Sequence, residues 1–378
     1  MKNILILNYE YPPLGGGGGV AAKKLAEAWV QMGYQVDYVT TWAFGLKKEE
    51  TIKGVNIYRV PVIGKRTQES AGMLSLLSFP ICAYKTVSEL CKKNRYEFIN
   101  THFAVPTGPL GVWISKKYKI RNILSLHGGD IYDPTKRFSP HKWWIFRKCV
   151  SWVMGNASVV VAQSSNTRAN AAHYYGIDEN NIKIIPLPYQ KVIFKPIERN
   201  KIGMKQNSLY LISVGRLVRR KGYDFLLDVL AELPDVELII VGDGPERENL
   251  TKKVNALSMV DRVTFTGNIS EELKFQYLNN SDIYVLSSVH EGFGIVLQEA
   301  MQVGLPIVST DYGGQVDLIN EGENGKLVKY GDKGAMVAAI RQLMSDQDLL
   351  RRMRENNLRK INQYGAESIA ARYLESIY

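Results

Sequence analysis

A chain of 378 residues with 45% hydrophobic and 22% charged residues has the balance of a soluble globular protein and is too long for one ordinary core, so two domains are expected. No apolar run approaches the ~18 residues that a membrane-spanning helix needs, and the N-terminus enters a strand at once without a signal-peptide pattern. The net charge of +11 is uneven: residues 1–195 hold 26 Lys/Arg against 12 Asp/Glu, and residues 196–378 hold 22 against 25.

In chain order, short apolar runs alternate with helical periodicity. The first half predicts strands over Asn3–Asn8, Gln35–Thr40, Val55–Val60, Phe98–Thr101, Asn122–Ser125, Ser158–Ala162 and Ile182–Ile185. A helix over Val20–Met32 is amphipathic and ends at Gly33. The second half restarts the pattern with Leu209–Val214, Val236–Val241, Val263–Thr266, Asp282–Leu286, Pro306–Ser309 and Gly325–Val328. Strand–helix alternation predicts parallel, doubly wound sheets, with ligands at the carboxyl ends of the strands. The stretch from Pro186 to Asn207 lacks periodicity and reads as the inter-domain linker, giving domains over 1–190 and 208–365. A last helix from Ala366 is expected to pack back on the first domain.

The most informative residues are Glu291 and Glu299, in the run from His290 to Ala300. A buried strand precedes Glu291, and Glu299 falls about one turn inside the following helix. Gly292 and Gly294 let the backbone approach a ligand and leave amides free at a helix N-terminus, an anion site. Carboxylates bind hydroxyls and bare amides bind phosphate, so a ligand needing both is a sugar nucleotide. Arg216 ends a strand and Lys221 opens the next helix, the residue types that neutralise a diphosphate. Arg219 and Arg220 lie beside them. In the first half, Ser125-Leu126-His127-Gly128-Gly129-Asp130 leaves a strand, as does His102 after Asn100-Thr101. The glycine run 15–19 opens a helix, but no acid follows the second strand as a dinucleotide fingerprint requires. Asp346-Gln347-Asp348 lies in an amphipathic stretch and reads as a solvated helix start, so no metal is expected. Cys82, Cys91 and Cys149 lack metal-ligand spacing and read as reduced thiols.

These motifs, in this order over almost the whole chain, resemble those of the retaining GT4 glycosyltransferases, in which two glutamates are separated by seven residues. The resemblance implies an α/β GT-B fold, with two doubly wound Rossmann-like parallel-sheet domains facing a central cleft. It assigns Arg216 and Lys221 to the donor diphosphate, Glu299 to the ribose and Glu291 to a hydroxyl of the transferred sugar. Amides of Gly292, Phe293 and Gly294 contact sugar and phosphate, and Gly16 or Gly17 meets phosphate. His127 lies near the anomeric centre, and Asp130 and His102 are candidates on the acceptor side. The implied donor is a UDP- or GDP-sugar, a substrate rather than a cofactor, and the implied acceptor a lipid-linked or glycan hydroxyl of the cell surface.

The basic half adds an expected anionic membrane surface, aided by apolar stretches at Ser75–Tyr84 and Lys142–Met154. Nucleic acid is not expected, because no recognition motif accompanies the charge. The expected location is the cytoplasm, peripheral to the inner membrane face. The rival readings are a sugar-nucleotide epimerase of similar fold and a non-catalytic basic protein that docks on membranes.

Overall fold

The computed structural model describes residues 2–64 and 72–377. The chain divides into two compact units, Met1–Gln190 with Tyr364–Tyr378, and Lys191–Gln363.

The first unit is built on strands β1 (Asn3–Leu7), β2 (Gln35–Thr41), β3 (Glu49–Ile52), β4 (Val55–Val60), β5 (Tyr96–His102), β6 (Arg121–Leu126), β7 (Val159–Ala162) and β8 (Ile182–Ile184), in the order β3-β4-β2-β1-β5-β6-β7-β8. All pairings are parallel except the β3–β4 edge. The central strands are continuous apolar runs because helices cover both faces of a parallel sheet: Ile4, Leu5, Ile6 and Leu7 are all fully buried. The helices are α1 (Gly17–Gln31), α2 (Met73–Lys93), α3 (Gly108–Tyr118), α4 (Trp144–Gly155) and α5 (Ser165–Tyr175).

The second unit has strands β9 (Leu209–Val214), β10 (Val236–Val241), β11 (Val263–Gly267), β12 (Ile283–Leu286), β13 (Ile307–Thr310) and β14 (Gly325–Val328), all parallel in the order β11-β10-β9-β12-β13-β14. Its helices are α6 (Tyr223–Ala231), α7 (Arg247–Ala256), α8 (Glu271–Asn280), α9 (Ile295–Gln302), α10 (Lys333–Ser345) and α11 (Gln347–Lys360). The final helix, α12 (Ala366–Ile377), belongs to the first unit and packs on α1. Trp29 of α1 donates its indole N–H to Ala370 O (3.3 Å) and meets Tyr373 edge-on at 6.0 Å.

One strand was not expected from the sequence. The four-residue strand β3 was not among the predicted strands; it is an exposed edge carrying Glu49 and Glu50, without the apolar run that marks a buried strand. The stretch read as the linker contains the boundary between the units, where Gln190 meets Lys191. From Lys191 onward it packs with the second unit, where the Gln302 amide accepts from Val192 N (3.0 Å) and donates to Val192 O (2.7 Å). Arg199 forks onto both Asp282 oxygens at 3.0 and 2.9 Å.

In each sheet the strand order reverses once near the middle, between β1 and β5 in the first and between β9 and β12 in the second. Loops leaving the carboxyl ends of such strand pairs diverge and leave room for a ligand. The candidate residues lie on those loops, or on the neighbouring loop after β6.

Candidate active site

In the second unit, the β9 loop carries Arg216 and Lys221 and the β12 loop carries Glu291. The two loops are stitched together: Ser287 Oγ donates to Lys221 O at 2.9 Å. Gly222, at φ +66°, passes so close to the Ser287 carbonyl oxygen that a Cβ would overlap it. Any other residue here would push the loops apart.

Glu291 is buried, with 6% of its surface exposed. Lys221 Nζ donates to Glu291 Oε1 at 2.6 Å, Arg220 Nη1 to Oε2 at 3.1 Å, and Ser288 Oγ to Oε1 at 2.6 Å. Arg220 also donates to His290 O at 2.6 Å. Burial alone would raise the Glu291 pKa, but Lys221 and Arg220 outweigh it and hold the carboxyl down to about 2. Lys221, expected at the diphosphate, is therefore held in an ion pair, and Arg220 is part of the same cluster. Arg216 differs. Its guanidinium is exposed and makes no hydrogen bond or ion pair among the described residues.

Gly294 caps α9, and the Phe293 ring is buried beneath that turn. Glu299 sits just over one turn into α9. Lys274 of α8 donates to Glu299 Oε1 at 2.7 Å, while Oε2 is buried without a hydrogen-bond partner. A carboxylate oxygen in that state is an acceptor awaiting a donor.

In the first unit, β5 ends at His102 and β6 delivers His127 beside it. His102 Nδ1 and His127 Nε2 lie 2.9 Å apart, and the Phe103 ring packs against His127 at 4.4 Å between centroids. Burial pushes the His127 pKa down to about 3, so the ring is neutral. His102, expected on the acceptor side, is 2% exposed and hydrogen-bonded to His127. Asp130, also expected on the acceptor side, has both carboxylate oxygens engaged by backbone amides. Its Oδ1 accepts from His127 N (2.9 Å) and its Oδ2 from Ala104 N (2.7 Å), clamping the β5 and β6 loops. Burial raises its pKa to about 6 despite those two donors.

Glu10 Oε2 accepts from Gly16 N (2.9 Å) and Gly19 N (3.2 Å), so the Gly16 amide expected to meet phosphate already meets a carboxylate. Gly17 is the first residue of α1. Sequence reasoning missed Glu10, Arg220, Lys274 and Ser288. Arg220 and Ser288 sit one and three positions from named residues, a usable signal; Glu10 and Lys274 depend on chain closure and carry none.

Among the described residues, no group of three or more His, Cys, Asp or Glu side chains is placed to hold a metal ion. Asp346 caps α11 by accepting from Leu349 N (2.8 Å), and Asp348 pairs with Arg351 (2.8 Å). The three cysteines are unpaired. No helix among the described residues is long and apolar enough to cross a membrane.

Two parallel α/β sheets, each with a charged or polar cluster on the loops at its reversal point, follow the plan of GT-B glycosyltransferases. Residues 15–189 match the model of Glycosyltransferase Family 4, and residues 194–360 match that of Glycosyl transferases group 1. This chain belongs to that family. It is 36% identical over 180 residues to the lipopolysaccharide core biosynthesis glycosyltransferase LpsE of Rhizobium meliloti, an alignment spanning 47% of this chain and about half (52%) of that relative. It is 26% identical to the N-acetyl-alpha-D-glucosaminyl L-malate synthase of Bacillus anthracis across 97% of this chain and 94% of that protein. The structure superposes on that of Anabaena HepE, solved with UDP and glucose, with a TM-score of 0.81 at 21% identity, covering 100% of this chain and 99% of the other. The family matches favour a transferase over the epimerase and the non-catalytic protein.

Proposed function

We propose that this glycosyltransferase is retaining and metal-independent, and moves a sugar from a UDP- or GDP-sugar to a hydroxyl of a lipid-linked or glycan acceptor in cell-surface glycan synthesis. The observation that carries the reading is the unequal pairing of the two glutamates. Glu291 is saturated by Lys221, Arg220 and Ser288, whereas Glu299 keeps one buried oxygen without a partner. That oxygen is suited to a ribose hydroxyl. The exposed Arg216 supplies a bidentate grip for the diphosphate, and Lys221, fixed by Glu291, supplies a positioned charge beside it. His127, kept neutral by burial, donates a hydrogen bond to the transferred sugar rather than acting as a strong acid.

In the transfer itself the bond from the anomeric carbon to the diphosphate oxygen breaks and one to the acceptor oxygen forms on the same face. The acceptor proton passes to the departing phosphate oxygen. Arg216 and Lys221 stabilise the charge that builds there. HepE with its UDP supports a uridine donor, and the role named for LpsE supports an acceptor of the cell envelope.

We place the enzyme at the cytoplasmic face of an anionic membrane, with the first unit as the docking half. Support comes from the charge split and from exposed apolar residues on that unit. Leu74, Leu77 and Ile81 project from α2, and Phe138, Trp143, Trp144 and Ile145 crowd the start of α4, where Lys148 lies 5.2 Å over the Trp144 ring. Aromatic rings interleaved with lysines suit a lipid headgroup interface.

The test is a panel of UDP- and GDP-sugars assayed in excess EDTA, read as free nucleotide and as the anomeric configuration of the product by NMR. Release of one nucleotide with retained configuration is expected. Activity that vanishes in EDTA and returns with magnesium, or an inverted product, would overturn the corresponding half of the proposal.

A further inference from the structure

We propose that Lys274 belongs to the donor site as a second ribose-binding residue: its ammonium pins Glu299 and gives a further N–H to the sugar hydroxyl next to the one that donates to Glu299. The proposal rests on the reading above in which Glu299 takes the ribose, and it adds the partner that makes the site complementary to a vicinal diol.

The topology puts both side chains at the binding rim. In a parallel α/β unit each helix starts beside the carboxyl ends of the strands, where ligands bind. Helix α8 follows β11 and α9 follows β12; Lys274 is the fourth residue of the one and Glu299 the fifth of the other. Ser270 caps α8 by accepting from Leu273 N at 3.2 Å, and Glu271 and Glu272 fill its first turn, as the helix dipole favours. A lysine two residues further on gains nothing from that dipole. What it meets instead is Glu299, at 2.7 Å.

The pair is not built as a frame-holding ion pair. Where this unit uses a carboxylate in that way, both oxygens are taken. Asp282 accepts the Arg199 fork and Tyr210 N, and Glu291 accepts from Lys221, Arg220 and Ser288. Glu299 accepts from Lys274 on Oε1, while Oε2 is buried without a hydrogen-bond partner, a state that costs stability until a donor arrives. Lys274 is open in the complementary sense. An ammonium has three N–H donors, and Glu299 is the one hydrogen-bond partner of Lys274 among the described residues. With side chains 18% and 16% exposed, the two are at the surface of the unit rather than sealed in its core. A spare acceptor beside spare donors matches two neighbouring hydroxyls, one donating to the carboxylate and the next accepting from the ammonium. The 2′- and 3′-hydroxyls of a ribose present that pattern.

The test is calorimetric titration of the full chain, without metal, with UDP, 2′-deoxy-UDP and 3′-deoxy-UDP and with the three guanosine counterparts. For the base that binds, removal of either hydroxyl should weaken the wild type about tenfold or more. Lys274→Met, its fold checked by thermal melting, should bind the ribonucleotide about tenfold more weakly. It should also lose the preference for one of the two hydroxyls, the ribo and deoxy forms then binding within about twofold of each other. Glu299→Ala should lose the preference for the other hydroxyl, and Lys274→Arg, which keeps charge and donors, should retain most of the affinity. Lys274→Gln gives the same reading as Lys274→Met should the latter fail to fold. Both preferences intact in the folded Lys274 variant, or the same single preference lost in the Lys274 and Glu299 variants, would overturn the role of Lys274 and leave the donor site standing. No binding of UDP or GDP to the wild type would overturn the donor site itself, and this assignment with it.

Discussion

Replacing Glu291 with Gln tests the charge cluster of the second unit most sharply. The substitution keeps the side-chain volume and the Ser288 contact but removes the charge that holds Lys221 at 2.6 Å and Arg220 at 3.1 Å. In the folded protein the carboxyl titrates at about 2, against an ordinary value of 4.5. A depression of that size corresponds to about 3 kcal/mol, since each pKa unit is worth about 1.4 kcal/mol. Because the folded pKa is lowered, this stabilisation is fully present above the unfolded pKa, near 4.5, and is lost as pH falls towards 2. At pH 7 the variant should therefore melt roughly 6–12 °C below the wild type, for a cooperative unit of this size. As pH is lowered below about 4.5, the gap should close, because the wild type surrenders what the variant never had. Paired thermal melts by circular dichroism from pH 7 to pH 3 measure it. Equal melting temperatures at pH 7, or a gap that widens in acid, would refute the reasoning.

Other perturbations separate the cations. Arg216→Ala should leave the melting temperature within about 1 °C, because that side chain has no partner to lose, while weakening nucleotide diphosphate binding by about 2–4 kcal/mol. Lys221→Met should do the reverse in part: it strips Glu291 of its shortest ion pair and should cost about 2–4 kcal/mol of stability as well as turnover. Calorimetry and melting curves on the two variants, side by side, decide both. Substituting Arg147 and Lys148 by Glu should weaken sedimentation with anionic vesicles at low salt, each charge being worth about 1 kcal/mol near such a surface. Equal partitioning of variant and wild type would remove the membrane from the account.

The strands were legible because a parallel sheet covered on both faces writes itself as apolar runs; Val55–Val60, Leu209–Val214 and Gly325–Val328 have the bounds read from sequence. The edge strand β3 was not, since Glu49 and Thr51 alternate with half-buried neighbours on a solvated edge. At the site, the positions of Arg216, Lys221 and Glu291 followed from strand ends, and that of Glu299 from the helix that comes after them. Their pairing did not. Lys221 and Glu291 are 70 positions apart, and only the strand order that sets β9 beside β12 brings them together. The same holds for Lys274 on Glu299 and for Glu10, whose carboxylate reaches the glycine amides only once the loop has closed.

The central claim is that Glu299 and Arg216 form a nucleotide diphosphate site in the second unit. The direct measurement is calorimetric titration of UDP and GDP into the wild type, Glu299→Ala and Arg216→Ala, without metal. The account predicts that one of the two nucleotides binds the wild type and that each substitution weakens it by about 2–4 kcal/mol, roughly 30- to 800-fold. Undiminished binding to folded Glu299→Ala and Arg216→Ala, or no binding of either nucleotide to the wild type, would contradict it.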